Sequence, residues 1–254
     1  MKTRIMKTRI IISTLMSVIA FPMTAQVTTS LPDREGAEVG LTLSGDIVSQ
    51  YIWRGQDLGS VSLQPTLGLS YKGLSLTAWG NVGLSQPDDV KELDLTLAYT
   101  LGGFNIGITD YWFDLVAGGD PMNRYFKYGS HETNHTFEAN IGYDFGFACL
   151  QWFTNFAGND YKKKDGKRAY SSYLEVVVPF KLSAVEWTAT AGAVPYETDY
   201  YNGGTRGFAV TNLALKAFKD IKITETFSVP VFAEVSANPC TQKAYLVLGF
   251  MLHP

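Results

Sequence analysis

The string His131-Glu132-Thr133-Asn134-His135 has the residue types and spacing of a zinc hydrolase. In that chemistry two histidines one helical turn apart hold one zinc, and the glutamate is the general base. The geometry needs a helix. Here the string follows Tyr128-Gly129-Ser130 and runs into an alternating segment, with no apolar helical stripe before it. In an extended chain residues i and i+4 lie about 13 Å apart, too far to share a metal. Hydrolysis of lipid would instead need a nucleophilic serine beside a histidine. Ser130 adjoins His131, but adjacency in sequence is not a hydrogen bond. The sequence therefore predicts no catalytic residue, no metal site and no cofactor.

A second set of residues points elsewhere. Asp46, Glu92, Asp94, Glu138, Glu175, Glu186 and Glu234 recur on the polar side of alternating segments, with Lys216 the clearest base among them. Carboxylates ringing an interior favour cations and repel anions. The segments that carry them decide whether they share an interior.

Residues 38–51 place Val39, Leu41, Leu43, Ile47 and Tyr51 on one face and Thr42, Ser44, Asp46 and Gln50 on the other. This period of two is the strand signature. The next segments repeat it: Leu63, Pro65, Leu67, Leu69 and Tyr71; then Leu74, Leu76, Ala78, Val82 and Leu84; then Leu93, Leu95, Leu97 and Tyr99. Further segments fall at about 104–113, 134–143, 147–156, 171–180, 185–194, 207–218, 225–235 and 244–252. Near ten residues each, they suit tilted membrane strands, which need about 9–11. Pro65 and Pro230 inside segments predict bulges.

Connections alternate in length. Lys72-Gly73, Gly102-Gly103, Asp144-Phe145-Gly146, Lys181–Ala184 and a turn near Lys219-Asp220 are short; 53–61, 85–91, 114–133, 157–170, 195–206 and 236–243 are longer. Outer-membrane barrels have short periplasmic turns and longer outer loops. The expected fold is all-β: a transmembrane antiparallel up-and-down β-barrel of about 12 strands over residues 38–254, with both termini periplasmic. Tyr51, Trp53, Tyr71, Tyr99, Trp112, Tyr143 and Phe180 suit interfacial girdles.

The ends fit an exported chain. Lys2, Arg4, Lys7 and Arg9 precede an apolar run from Ile10 to Phe21, and Met23-Thr24-Ala25 offers a cleavage site. Residues 1–25 read as a signal peptide and 26–37 as a short periplasmic segment. Removing 1–25 leaves 17 Lys and Arg against 24 Asp and Glu, a net charge of −7. That acidity argues against a nucleic-acid partner, which needs clustered bases. Cys149 and Cys240 fall near opposite barrel ends, too far apart for a disulfide.

Ser49-Gln50-Tyr51-Ile52-Trp53-Arg54-Gly55, with Gln64-Pro65 and Trp79-Gly80-Asn81 after it, resembles the TorF-type porins, also called the Gcw_chp family. The likeness is clearest over 45–112. It implies an outer-membrane barrel of porin type and adds little mechanism. Barrel proteins often end on an aromatic residue read by the assembly machinery; here Phe250 stands before Met251-Leu252-His253-Pro254.

The functional expectation is a porin that lets small solutes diffuse passively, neutral ones or preferably cations. Asp46, Glu92, Asp94, Glu138, Glu175, Glu234, Lys216 and Arg54 would line its pore. Arg54 has two readings: a constriction residue in the lumen, which strand parity favours, or a surface arginine at the loop start. Buried carboxylates could pair with Arg54, Arg124, Arg168 or Arg206 and plug the lumen. Twelve strands lie between filled eight-stranded barrels and open porins of 16–18. A non-conducting structural or binding barrel is the alternative, and a barrel lipid hydrolase a weaker one. The expected partners are outer-membrane lipid and lipopolysaccharide, the barrel-assembly machinery and small solutes. Asp57, Asp88, Asp89, Asp114, Asp120, Asp160 and Asp165 in the long loops read as solvated charge or cation bridges to lipopolysaccharide. The run Lys162-Lys163-Lys164 reads as a solvated loop tip; the aromatics near 112–128 could fold inward to narrow a pore, point outward to bind a ligand, or pack the longest loop onto the barrel rim.

Overall fold

The computed structural model describes residues 29–31, 39–85, 89–114, 123–129, 132–201, 206–225 and 227–253. The signal segment 1–25, Asp88, Asp120, Ser130 and His131 lie outside the described residues. Twelve antiparallel strands, each bonded to its neighbours in sequence, close into a barrel. No described residue is helical.

The wall begins with β2 (Val39–Val48), preceded by a short β1 (Thr29–Leu31) that pairs along it. A small hairpin follows, β3 (Tyr51–Trp53) and β4 (Gln56–Gly59), which is not part of the wall. The wall resumes as β5 (Ser62–Tyr71), β6 (Leu74–Gly83), β7 (Lys91–Leu101), β8 (Phe104–Asp114) and β9 (His135–Asp144). It continues through β10 (Cys149–Gly158), β11 (Ser172–Leu182), β12 (Val185–Val194), β13 (Ala209–Lys222), β14 (Ser228–Asn238) and β15 (Lys243–Leu252).

Alternation decides which way each strand faces. Leu67, Leu76, Leu97, Ile106, Ile141 and Leu246 are each more than half exposed, and they give the barrel an apolar exterior. Ser44, Thr66, Thr96, Thr109, Asn105 and Gln151 are buried inside. A soluble sheet keeps its apolar face inward; this barrel has the reverse pattern. The tight turns follow local chemistry. Lys72 and Gly73 both take positive φ (49° and 85°), the two-residue turn whose twist matches a hairpin.

Four details differ from the sequence reading. Pro65 leaves a gap in the ladder between Leu63↔Val82 and Thr66↔Trp79, and Pro230 pairs with Asp220, both without a change of register. The bulges fall instead at Asn155/Ala157 and Gly192/Ala193. Lys219 and Asp220 are paired strand residues, and β13 turns later, where Ile223 and Thr224 donate to the Phe227 carbonyl. The first wall strand ends at Val48, and the β3–β4 hairpin takes in Tyr51, the last residue of segment 38–51, and most of what read as loop 53–61.

Closure is uneven. β2 meets β5 over ten residue pairs, from Val39↔Tyr71 to Val48↔Ser62. It meets β15 over four, from Gly249↔Val48 to Leu252↔Gly45. The ladder stops where the chain leaves the wall, and Ser49 caps it: its amide donates to the Leu248 carbonyl and its hydroxyl accepts from the Leu248 amide.

Candidate functional site in the barrel interior

The chain turns inward after Ser49 and crosses the interior. Trp53 and Gln56 pair, leaving Arg54-Gly55 as a two-residue loop with φ of 50° and 79°. Gly55 is required twice over. Its φ is left-handed, and a Cβ there would run into the Thr211 carbonyl oxygen. Asn238 Nδ2 donates to the Gly55 carbonyl at 2.9 Å, fixing the tip against β13 and β14.

Arg54, at the tip, reaches β9. Its Nη1 lies 2.6 Å from Glu138 Oε2 and its Nη2 3.0 Å from Oε1. Glu138 also accepts from Tyr111 at 2.9 Å and Tyr201 at 2.7 Å. The guanidinium lies over the rings of Phe153, Trp53, Tyr173 and Tyr201, 4.0 to 5.4 Å from their centroids. A planar, weakly hydrated cation suits such a box, with a bidentate carboxylate matching its donor fork. Tyr201 comes from the β12–β13 loop, which bends into the barrel. Burial, and then the Glu138 carboxylate, push its phenol well above the usual range, so it remains a donor.

Below the hairpin lies a cavity of about 240 Å³. Asp46, Asp94, Glu175, Glu234, Lys216 and Arg54 line it, among others. Lys216 Nζ is 3.9 Å from Glu234 and 3.8 Å from the Phe232 ring centroid. Glu92 is buried and accepts from the Tyr51 hydroxyl at 2.8 Å. Glu175 accepts from Tyr173 at 2.9 Å. The eight residues anticipated to face the interior therefore divide. Glu138 and Arg54 form the latch at the hairpin tip; Asp46, Asp94, Glu175, Lys216 and Glu234 surround the cavity; Glu92 stands behind Tyr51. Glu186 lies apart, exposed at a tight turn and 3.8 Å from Lys181.

Several interior residues were missed. Tyr51 and Trp53 were expected at an interface, yet Tyr51 is buried in the interior and Trp53 packs on Tyr111, Tyr200 and Tyr201. The available signal was Arg54-Gly55, a weak turn pair between short alternating runs. Tyr111 was readable by parity, two residues from Thr109 on the inward face of β8. Tyr201 had no local signal.

The long loops use their charges on themselves. Asp57 accepts from Gln50, Asp89 from the Ser60 amide, Asp114 from Asn123 and Asp160 from the Ser171 amide. Arg168 donates to the Gly158 carbonyl, and Lys163 and Lys164 are exposed. On the outward face His135 bonds through Nδ1 to Asp110 at 2.7 Å and through Nε2 to the Tyr125 carbonyl at 2.5 Å. Residues 123–129 fold over it, with the Tyr128 ring stacked 4.1 Å away. Both ring nitrogens are engaged in that packing. Cys149 and Cys240 are free thiols.

No family model matches the chain, and no curated protein matches it.

Proposed function

We propose that the chain is an outer-membrane barrel of the TorF-type porin kind, which admits small solutes and prefers cations. Its apolar exterior suits lipid, the only solvent in which a closed barrel of this polarity needs no further cover. The observation that carries the preference is interior charge. Asp46, Glu92, Asp94, Glu138, Glu175 and Glu234 face inward, and Arg54 and Lys216 oppose them among the described lining residues. The excess is negative even with every base paired, and in low-dielectric walls it attracts cations.

One observation favours the second reading, a non-conducting barrel. The β3–β4 hairpin crosses the interior and is held at its tip by Glu138 and Asn238. Single-channel recording of the refolded protein in a planar bilayer under a salt gradient separates the two. Discrete steps with a cation-selective reversal potential support the channel. Anion-selective steps overturn the charge assignment, and a folded barrel that stays silent leaves the non-conducting reading.

A further inference from the structure

We propose that the cavity beneath the hairpin binds a small organic cation, with Asp94 and the rings of Trp79, Tyr111 and Tyr51 receiving its ammonium group. The proposal rests on the reading of an interior that prefers cations and names the ligand class it selects.

The placement follows from strand register. Asp94 faces inward on β7, directly across from Trp79 on β6 and Tyr111 on β8. Side chains so paired on one face lie about 5 Å apart. Tyr51 descends from the hairpin and closes the box: its ring is 5.6 Å from the Trp79 ring, and its hydroxyl is fixed by Glu92. Asp94, Trp79, Tyr111 and Tyr51 are all buried, and all but Glu92 of this group line the cavity.

A carboxylate in this position is incomplete. Asp94 is 3 % exposed; it hydrogen-bonds Glu92, two residues away on the same inward face, and its Oδ1 has no hydrogen-bond partner. The bases of the interior are engaged elsewhere, Arg54 on Glu138 and Lys216 on Glu234. A buried carboxyl oxygen left without a partner is costly, and the hydrogen-bonded Asp94–Glu92 pair has no cation beside it among the described residues. Asp46 on β2 is likewise 3 % exposed with Oδ1 unpartnered, although Lys216 acts on it as well as on Glu234. A ligand that brings a positive charge and an apolar surface supplies what the Asp94 site lacks. Carboxylate gives the charge term, and π-faces accept methylated or methylene-flanked ammonium without demanding hydrogen bonds. An inorganic ion needs several oxygen ligands at short range, and rings cannot provide them. The volume, below the usual 300–1,000 Å³ of drug-sized pockets, limits the ligand to a small amine.

Equilibrium dialysis tests this with the full protein refolded in a maltoside micelle, which carries no ammonium. The probe is labelled choline, and its neutral isostere 3,3-dimethyl-1-butanol is the competitor. Saturable choline binding, with the isostere at least about tenfold weaker, is expected from the charge term. Asp94→Asn and, separately, Trp79→Leu should each weaken choline about tenfold or more, while Glu186→Gln at the tight turn should leave it unchanged. Equal affinity for the isostere, displacement by potassium at equal concentration, or full affinity in Asp94→Asn overturns the proposal. The isostere comparison needs no variant and stands even if a substitution prevents folding. Choline binding by a barrel silent in bilayers would keep this site and overturn the channel. Conductance without choline binding would overturn the site alone.

Discussion

Arg54 and Glu138 meet across the barrel in a bidentate ion pair, although 84 residues separate them in sequence. The arginine arrives on a hairpin from the β2 side and the glutamate from the far wall, so the contact ties opposite sides of the interior together. Removing one partner of a buried pair leaves the other charge uncompensated, at a cost of about 3–5 kcal/mol. Arg54→Met is expected to destabilise the barrel by about that range, lowering its urea unfolding midpoint. Adding Glu138→Gln should recover part of the loss, because the orphaned charge is then removed. Additive effects in the double mutant would show that the pair is not coupled.

The same latch gives a functional expectation. In the channel reading the hairpin is the constriction. Arg54→Met should then raise single-channel conductance and the frequency of open events. Unchanged conductance would place the limiting constriction elsewhere.

Gly55 tests the hairpin without touching charge. Gly55→Ala puts a Cβ into the Thr211 carbonyl at a left-handed φ, a conformation that costs an L-residue about 1–2 kcal/mol before any clash. The tip should lift from Thr211 and Asn238, and Trp53 should become more accessible. Acrylamide quenching of tryptophan fluorescence should increase. Quenching equal to the parent would mean that the tip tolerates the extra atom.

The barrel itself was legible because it is written in period two. Every wall strand carries its own alternation, and lengths near ten residues with unequal loops were enough to order them. The hairpin was not legible for a specific reason. Tyr51 continues the parity of Leu43 and Ile47, so local pattern sends it outward; only the contacts of Tyr51 with Trp79 and Glu92, 28 and 41 residues away, bring it in. Arg54 had two readings, lumen or surface, of which parity favoured the lumen; its side chain lies inside on Glu138, at a position set by a turn and not by a strand. Likewise the carboxylates were found one strand at a time, while the difference between Glu138, paired with Arg54, and Asp94, which has Glu92 but no base and leaves Oδ1 unpartnered, depends on loops and side chains that no local pattern encodes.

The outward cluster at the long-loop end gives a prediction of another kind. His135 holds residues 123–129 against the wall through the Tyr125 carbonyl and the stacked Tyr128 ring. His135→Ala should release that segment and leave Asp110 with only the Tyr128 side chain as partner. Trypsin should then cut faster after Arg124 or Lys127 in the intact protein. Cleavage at the parental rate would show that the aromatic contacts hold the segment without the imidazole.

The barrel seam should be its least protected ladder. In an antiparallel strand a residue directs both its amide and its carbonyl to one side, and successive residues alternate sides. Leu248 directs both toward β2, bonding Ser49. By that alternation Leu246 and Ala244 point the same way, above Val48, where β2 has already left the wall and among the described residues no ladder partner faces them. Tyr245 and Val247 point toward β14, which pairs with them in full. The chain thus trades a closed seam for the in-folded hairpin. In native-state hydrogen exchange the amides of Ala244 and Leu246 should exchange much faster than those of Tyr245 and Val247, though all four sit in one strand. A uniform rate along β15 would mean that the β2–β15 ladder extends past Val48 in solution, and with it that residues 49–53 spend much of their time in the wall and not in the lumen.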